Sequence, residues 1–333
     1  MAGYVIVSDF SRSALVALLF CCCAGIGKMS AEVLRVVSYN VENLFYPERD
    51  SVNTDSLFTP EGERRWSFRR YSRKVENIAR VLTTIGEWDG VDVAGLQEVE
   101  SEECVQWLCQ VLRRGEYGWA HYDSPDRRGI DVALIYKKAR IDTLATKAIR
   151  VDLGEQTTRD ILYVKSKIKG RKSGTEDREQ KAEKDILHFF VCHLPSQLGG
   201  TAETAWKREL SKRVLQAAVD SVLAVEPDAR IVVMGDMNSS PADDLRGLRN
   251  RMTELAKNGA GTHKWQGRLS CLDQFYTSPA LDSISDVRIY DAEWIQEPDE
   301  KFLGLRPKRT FVGFRYQEGF SDHLPIILVI GDW

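Results

Sequence analysis

Five apolar runs in this chain end on side chains that can hold a cation or move a proton. Val36-Val37-Ser38-Tyr39-Asn40 ends on an amide, and Val93-Ala94-Gly95-Leu96-Gln97-Glu98 on a carboxylate. Phe189-Phe190-Val191-Cys192-His193 ends on an imidazole, and Ile231-Val232-Val233-Met234-Gly235-Asp236-Met237-Asn238 on a carboxylate and an amide. Phe320-Ser321-Asp322-His323 sets a carboxylate and an imidazole just before the last apolar run. Any one of these, alone, is an ordinary cap or turn residue. Five together suggest a shared site, because a sheet fixes the Cα positions at its strand ends while the side chains there face solvent.

The donor set Asn40, Glu98, Asp236, Asn238 and Asp322 is rich in oxygen and free of cysteine, which suits Mg²⁺ or Mn²⁺ rather than zinc. Such ions clamp phosphate oxygens. An imidazole beside them can stabilise or protonate a pentacovalent phosphorane, and a carboxylate, or an imidazole oriented by one, can take the proton of attacking water. The chemistry expected is metal-assisted hydrolysis of a phosphoester.

The elements that must position these residues are short β-branched runs over Leu34–Tyr39, Asp92–Leu96, Asp131–Tyr136, Ile161–Ile168, Ile186–His193, Ile231–Met234 and Ile326–Ile330. Amphipathic stretches lie between them. Arg69–Ile85 places Val75, Ile78, Ala79, Leu82 and Ile85 on one helical face, and Arg208–Leu223 does the same with Leu210, Val214, Leu215, Ala218 and Val222. The class is α/β, and with no internal repeat and no Pro/Gly-rich linker a single domain is expected. The charged stretch Lys169–Asp185 reads as a solvated hairpin loop or a disordered excursion. Glu297–Phe320 carries Arg306, Lys308, Arg309, Phe311, Phe314, Arg315 and Tyr316, and long loops of this composition are more often functional than decorative.

Composition narrows the classes. At 333 residues and 43% hydrophobic the chain can bury a large core, which excludes disorder for most of it. With 46 basic and 49 acidic residues the net charge is -3, so a phosphate-binding site has to come from local clusters. Seven cysteines, three of them adjacent at Cys21–Cys23, do not make a disulfide framework, and Cys104, Cys109 and Cys192 are expected as free buried thiols. The apolar run Ala14–Gly25, between Arg12 and Lys28, has the length of a signal-peptide core and is too short to span a bilayer. Residues 1–31 are therefore expected to be a signal peptide or lipoprotein leader, and 32–333 the catalytic domain. That implies export to the periplasm, a membrane anchor or the medium, or the cytoplasm if the segment is not a signal.

The ordered series YNVENLF (Tyr39–Phe45), LQEVE (Leu96–Glu100), RGIDVALIY (Arg128–Tyr136), TRDIL (Thr158–Leu162), CHLPS (Cys192–Ser196), GDMNSSP (Gly235–Pro241), LDQFYTS (Leu272–Ser278) and SDHLPI (Ser321–Ile326) resembles the endonuclease/exonuclease/phosphatase superfamily. That group contains deoxyribonuclease I, abasic-site endonucleases, neutral sphingomyelinases and inositol polyphosphate 5-phosphatases. FTPEGERRW, RRYSRKVENIARVL and HLPSQLGG look like a branch of uncharacterised bacterial members. The resemblance runs from about Leu34 to the C-terminus. It implies a four-layer α/β sandwich of the deoxyribonuclease I type, two mixed β-sheets packed face to face with helices outside and the site at the rim. It also implies roles, position by position. Glu98 is the main metal ligand, with Asn40 and Asp322 completing or flanking the site. Asp236 activates or orients water, Asn238 holds the phosphate or that water, and His323 is the catalytic histidine with Asp273 fixing its tautomer. His193 matches a second, phosphate-facing histidine of the deoxyribonuclease I and sphingomyelinase branches. Asp131 is implied as its orienter and Arg159 as a phosphate contact.

The remaining histidines are controls: His121 and His188 lie in strand patterns and read as structural, while His263 before the Asp273 strand is left open between pocket edge and turn. The expected activity is a Mg²⁺- or Mn²⁺-dependent phosphodiesterase, nuclease-like. The interleaved Arg64, Arg65, Trp66, Phe68, Arg69, Arg70, Tyr71, Arg73 and Lys74 offer a strand-binding surface, unless they are a solvated helix face. The alternative is a phosphomonoesterase or a sphingomyelinase-like lipid phosphodiesterase, favoured by the acidic net charge and by an aromatic loop at Phe311–Tyr316 able to meet an interface. The partner expected is a phosphoester, nucleic acid among the candidates. No organic cofactor or stable protein partner is implied, and a monomer is expected.

Overall fold

A computed structural model describes residues 33–48, 56–87, 90–169, 185–242, 244–281 and 283–331. The expected leader and most of the charged stretch Lys169–Asp185 lie outside them. Two six-stranded mixed sheets form the body. The first contains β1 (Leu34–Leu44), β2 (Val93–Val99), β3 (Tyr117–His121), β4 (Asp131–Lys137), β13 (Ile284–Ile289) and β18 (Ile326–Ile330), in the order β13-β18-β1-β2-β4-β3. The second contains β5 (Ile141–Ile149), β6 (Ile161–Ile168), β7 (Ile186–His193), β8 (Ile231–Asp236), β9 (Arg249–Asn250) and β12 (Asp273–Thr277), in the order β5-β6-β7-β8-β12-β9. Three small hairpins sit apart from the sheets: β10–β11 (His263–Trp265, Arg268–Ser270), β14–β15 (Gln296–Pro298, Leu305–Pro307) and β16–β17 (Phe311–Val312, Arg315–Tyr316).

The two-residue alternation of the strands sorts side chains into three cores. Leu34 and Val36 of β1, Leu187, Phe189 and Val191 of β7, Val232 and Met234 of β8 and Phe275 of β12 fill the space between the sheets. Val37, Tyr39 and Val41 point the other way, onto helices α1 (Phe68–Ile85) and α2 (Glu102–Arg113). Phe190, Cys192, Ile231 and Val233 pack on helix α3 (Ala205–Val225). A fourth, short helix, α4, spans Thr253–Lys257. The result is the four-layer sandwich expected, helix, sheet, sheet, helix. A Cβ on Gly95 would lie 2.9 Å from the Met234 sulfur, so the small residue on β2 sets how closely the second sheet approaches. Cys104, Cys109, Cys192 and Cys271 are free, buried thiols. No helix among the described residues is long and apolar enough to cross a membrane.

Two sequence expectations change here. The basic-aromatic run from Arg64 to Lys74 is divided: Trp66, Tyr71 and Lys74 are buried, Arg64 lies over the Phe58 and Phe311 rings and Arg70 over Tyr316, while Arg65, Phe68 and Arg69 stay exposed. Arg73 is held by Glu76 and Glu318. The long loop 297–320 is built of two hairpins and sends Phe311 into the core, leaving Phe314 exposed.

Candidate active site

The site is the polar end of the inter-sheet core. On β7 the inward series Leu187, Phe189, Val191 continues to His193; on β8 Val232 and Met234 continue to Asp236; on β12 Phe275 is preceded by Asp273. Register lines these up: His193 pairs with Asp236 across the parallel β7–β8 ladder, and Asp273 with Asp236 across the antiparallel β12–β8 ladder. From the opposite sheet Asn40, two residues beyond Ser38 on the same face of β1, donates its Nδ2 to Asp236 Oδ2 at 3.2 Å. Gly235, at φ +144, makes this possible, because a Cβ there would meet the Cys192 carbonyl oxygen at 1.9 Å.

Asp236 Oδ2 is the hub. His193 Nε2 lies 3.6 Å from it and His323 Nε2 3.8 Å. The other oxygen of Asp236 accepts the Asn238 backbone N–H at 2.9 Å. Burial pushes the Asp236 carboxyl up to about 6, opposed by the charge of His323. His323 Nδ1 is 2.7 Å from Asp273 Oδ2, and Asp273 is fully buried. Burial alone would lower His323, but the charges of Asp273 and Asp236 and the Asp273 hydrogen bond outweigh it and raise its pKa well above the ordinary value. His193 goes the other way: burial, with Arg159 and Arg128 nearby, holds it well below the usual range, hence neutral. The two imidazoles on one carboxylate thus carry different charges.

The rim of the first sheet adds carboxylates. Glu98 sits at a register shift between Gln97 and Val99 with φ 65, and accepts the Asn43 N–H at 2.9 Å. Glu42, Asn43 and Asn238 also have positive φ. Non-glycine residues in the left-handed region at four positions around one site are backbone bent to aim side chains. Asp322 accepts from Arg309 Nη2 at 2.6 Å, and the same guanidinium reaches Glu42 Oε1 at 3.4 Å. Burial works against Asp322 ionising, but Arg309, His323 and other cations hold its carboxyl down at about 2. Behind them the buried Lys74 donates to Thr310 Oγ1 at 2.6 Å and to the Phe320 carbonyl at 2.5 Å, and Glu42 accepts the Thr310 N–H at 2.6 Å. Burial lowers Lys74 to about 8, with Glu42 pulling it back up.

The remaining positions divide. Asn238 donates its Nδ2 to the Leu194 carbonyl at 3.0 Å, so it clamps the loop after His193 as well as Asp236. Arg159 is buried, held by Asp126 at 3.0 Å and the Leu194 carbonyl at 3.1 Å, with its Nε unpartnered. Asp131 does not orient His193. Its carboxylate accepts from Ser124 N and Ser124 Oγ and faces His121 Nε2 at 3.8 Å, while His193 Nδ1 is buried without a partner. The reason is register: Asp131 pairs with Val99 at the start of β4 in the other sheet. His188 is held by Tyr163 and Glu226, a structural histidine as read. His263, left open by sequence, lies against the site: its ring is 4.8 Å from that of His323 and its backbone bridges His323. Burial lowers it to about 4, so it faces His323 uncharged. Arg309, Glu42 and Lys74 were not singled out for the site, although Glu42 lies inside YNVENLF and Arg309 inside the basic loop.

The carboxylate donors fit a divalent cation. Glu98 and ionised Asp322 are hard oxygen ligands, and uncharged His263 brings a ring nitrogen within 4.8 Å of an Asp322 oxygen.

The family profile for the Endonuclease/Exonuclease/phosphatase family matches residues 35–331. The chain belongs to that family. Its membership makes the chain a hydrolase of phosphoesters in a group that works with divalent metals. The fold agrees with that of solved structures. Truncated Caenorhabditis elegans TDP2 matches with a TM-score of 0.57 at 17% identity, covering 90% of this chain and 98% of that one. The human nocturnin catalytic domain gives 0.52 at 17% identity, covering 89% and 93%. A Bacteroides thetaiotaomicron mannosyl-6-phosphatase gives 0.52 at 14% identity, covering 89% and 98%. No curated protein matches this chain.

Proposed function

We propose that this family member hydrolyses phosphodiesters by in-line attack of water, with Mg²⁺ or Mn²⁺ held by Glu98 and Asp322. The observation that carries the reading is the charge arrangement on Asp236: a carboxylate shared by a neutral His193 and a cationic His323, the latter backed by buried Asp273. When bound, the cation would neutralise phosphate charge and polarise the bond to be broken. The chain's own groups supply the rest. Asp236, with a carboxyl near 6 and one oxygen pinned by Asn238 N–H, accepts the proton of the attacking water near neutral pH. His323, cationic and fixed through Nδ1, presents Nε2–H to the phosphoryl oxygens, and neutral His193 presents a hydrogen bond from β7. Asn40 holds Asp236 in place. Arg309, drawn between Asp322 and Glu42, is a second positive charge for the phosphate.

A panel containing plasmid DNA, RNA, bis(p-nitrophenyl) phosphate, sphingomyelin and p-nitrophenyl phosphate, each with Mg²⁺ and Mn²⁺, tests this. Turnover of the diesters above the monoester supports it. Turnover confined to p-nitrophenyl phosphate would replace it with the monoesterase reading, and turnover of sphingomyelin alone among the diesters would keep the phosphodiesterase chemistry and make the substrate a lipid.

A further inference from the structure

The three small hairpins enclose a cavity of about 360 Å³ that meets the site at Arg309 and Asp322. Strand β10 joins the two places: the His263 ring lies 4.8 Å from that of His323, tilted against it, and Trp265, two residues on and so on the same face of the strand, lines the cavity. Trp265 is 62% exposed and Phe302 of the β14–β15 hairpin 41%, both far more open than the aromatics of the core. Their positions are built. Lys264 ties β10 to the second hairpin through Asp299 at 3.0 Å and the Leu303 carbonyl at 2.5 Å, and a side chain at Gly267 would collide with Phe302 at 2.9 Å. The lining carries four cations, Lys264, Lys301, Arg306 and Arg309, against two carboxylates, Asp299 and Asp322. Three of these cations are paired, Lys264 with Asp299, Arg306 with Glu297 and Arg309 with Asp322 and Glu42, so Lys301 at the exposed edge is the lining cation outside these pairs.

We infer that this cavity is a nucleoside subsite: the base of a nucleotide phosphoester stacks on Trp265 and Phe302 while its phosphate occupies the His193–Asp236–His323 site. Three observations favour a nucleotide over an acyl chain. The cavity is concave, its volume lies in the range of small-molecule pockets, and each of its two aromatic rings follows a lysine in sequence, Lys264-Trp265 and Lys301-Phe302, the combination of ring and cation that single-strand binding surfaces use. An acyl chain would have to lie against the buried Lys264–Asp299 pair. The inference rests on the phosphodiesterase reading and adds the substrate class to it.

The test compares wild type, Trp265→Ala, Trp265→Phe and Phe302→Ala on two diesters, dithymidine phosphate and bis(glycerol) phosphate, the latter with no ring to stack. Base stacking is lost in Trp265→Ala, so KM for the dinucleotide should rise at least about fivefold with kcat little changed, and Trp265→Phe should recover most of it. Kinetics on bis(glycerol) phosphate should be unaffected. A KM for dithymidine phosphate unchanged in Trp265→Ala, or raised equally for both diesters, overturns the subsite while leaving the hydrolase intact. If wild type cleaves neither diester, the hydrolase reading fails first, and binding of a thymidine hexanucleotide in EDTA, followed by fluorescence anisotropy, still decides the subsite. Weaker binding by Trp265→Ala supports it, and equal binding overturns it. Comparison of thymidine monophosphate with the hexanucleotide separates a free nucleotide from a strand. Trp265-dependent sedimentation with phosphatidylglycerol vesicles, without an effect on nucleotides, would overturn it in favour of a lipid surface.

Discussion

Replacing Asp273 by Asn isolates the charge behind His323. The side chain is fully buried, its Oδ2 is 2.7 Å from His323 Nδ1, and its Oδ1 has no hydrogen-bond partner. Asn keeps the shape and can still accept from Nδ1–H, but it no longer holds a positive imidazolium, and its NH₂ would sit where no acceptor waits. A hydrogen bond to a charged group contributes about 1.5–3 kcal/mol, which at 1.36 kcal/mol per decade is roughly 10- to 150-fold in kcat. The sign with pH follows from the same pair. His323 has its pKa raised in the folded protein, mainly by Asp273 and Asp236 against burial, so removing Asp273 lets it lose its proton at lower pH. The deficit in Asp273→Asn should therefore grow as pH rises and shrink toward acid. Single-turnover rates on bis(p-nitrophenyl) phosphate between pH 5.5 and 9, for wild type, Asp273→Asn, His323→Ala and the double variant, read this directly. In the double variant the two losses should be less than additive, because the pair acts as a unit. A kcat for Asp273→Asn near wild type with a parallel pH profile, or full additivity with His323→Ala, would refute the dyad.

Other outcomes follow from the same geometry. The acid limb of kcat/KM should fall near pH 6, where burial has placed the Asp236 carboxyl, and should vanish with most activity in Asp236→Asn; an acid limb unchanged in that variant would assign the base elsewhere. Asp131, pushed by burial up to about 7 from 3.8, binds a proton in the folded state that the unfolded chain has lost, so it makes stability fall as pH rises across that window. Asp131→Asn should thus raise stability at pH 8 by roughly 1–3 kcal/mol and show a gap that closes toward pH 4, measured by urea unfolding, with kcat within about threefold of wild type. A large loss of kcat there would restore Asp131 to the site. Gly235→Ala, which forces a Cβ onto the Cys192 carbonyl at φ +144, should cost more than about 3 kcal/mol or prevent folding; a melting temperature within a degree of wild type would contradict the close approach of Gly235 to that carbonyl.

The strand ends were legible because apolar alternation runs straight into them. Leu187-Phe189-Val191-His193 and Val232-Met234-Asp236 each keep one face, so the sequence pattern that builds the inter-sheet core also aims the reacting side chains. Helices α1 and α3 were legible from their stripes to within a few residues. The edge strands β5, β9 and β13 were not, since an edge strand exposes much of itself and carries polar residues such as Asp142, Thr143, Asp286 and Arg288 that blur the period. The charge network around Asp322 was invisible for another reason. Glu42 meets Arg309 across 267 residues and Lys74 meets Thr310 across 236, contacts that no local spacing encodes. Asp131 shows the reverse error. Its motif was adjacent to the site in sequence logic, but register placed it in the other sheet beside Ser124 and His121. His263 needed the backbone bridge to His323 before its place could be known.

The central claim is that Glu98 and Asp322 hold a hard divalent cation without which the Asp236–His323 machinery does not turn over phosphodiesters. Its most direct measurement is the initial rate of bis(p-nitrophenyl) phosphate hydrolysis by EDTA-stripped protein titrated with Mg²⁺ and then Mn²⁺, for wild type and Glu98→Ala side by side. The account predicts no turnover in EDTA, saturable recovery for wild type, and for Glu98→Ala both a higher half-saturating metal concentration and a rate lower by at least about 10-fold. Undiminished hydrolysis in EDTA, or a metal titration for Glu98→Ala that overlays the wild type, would contradict it.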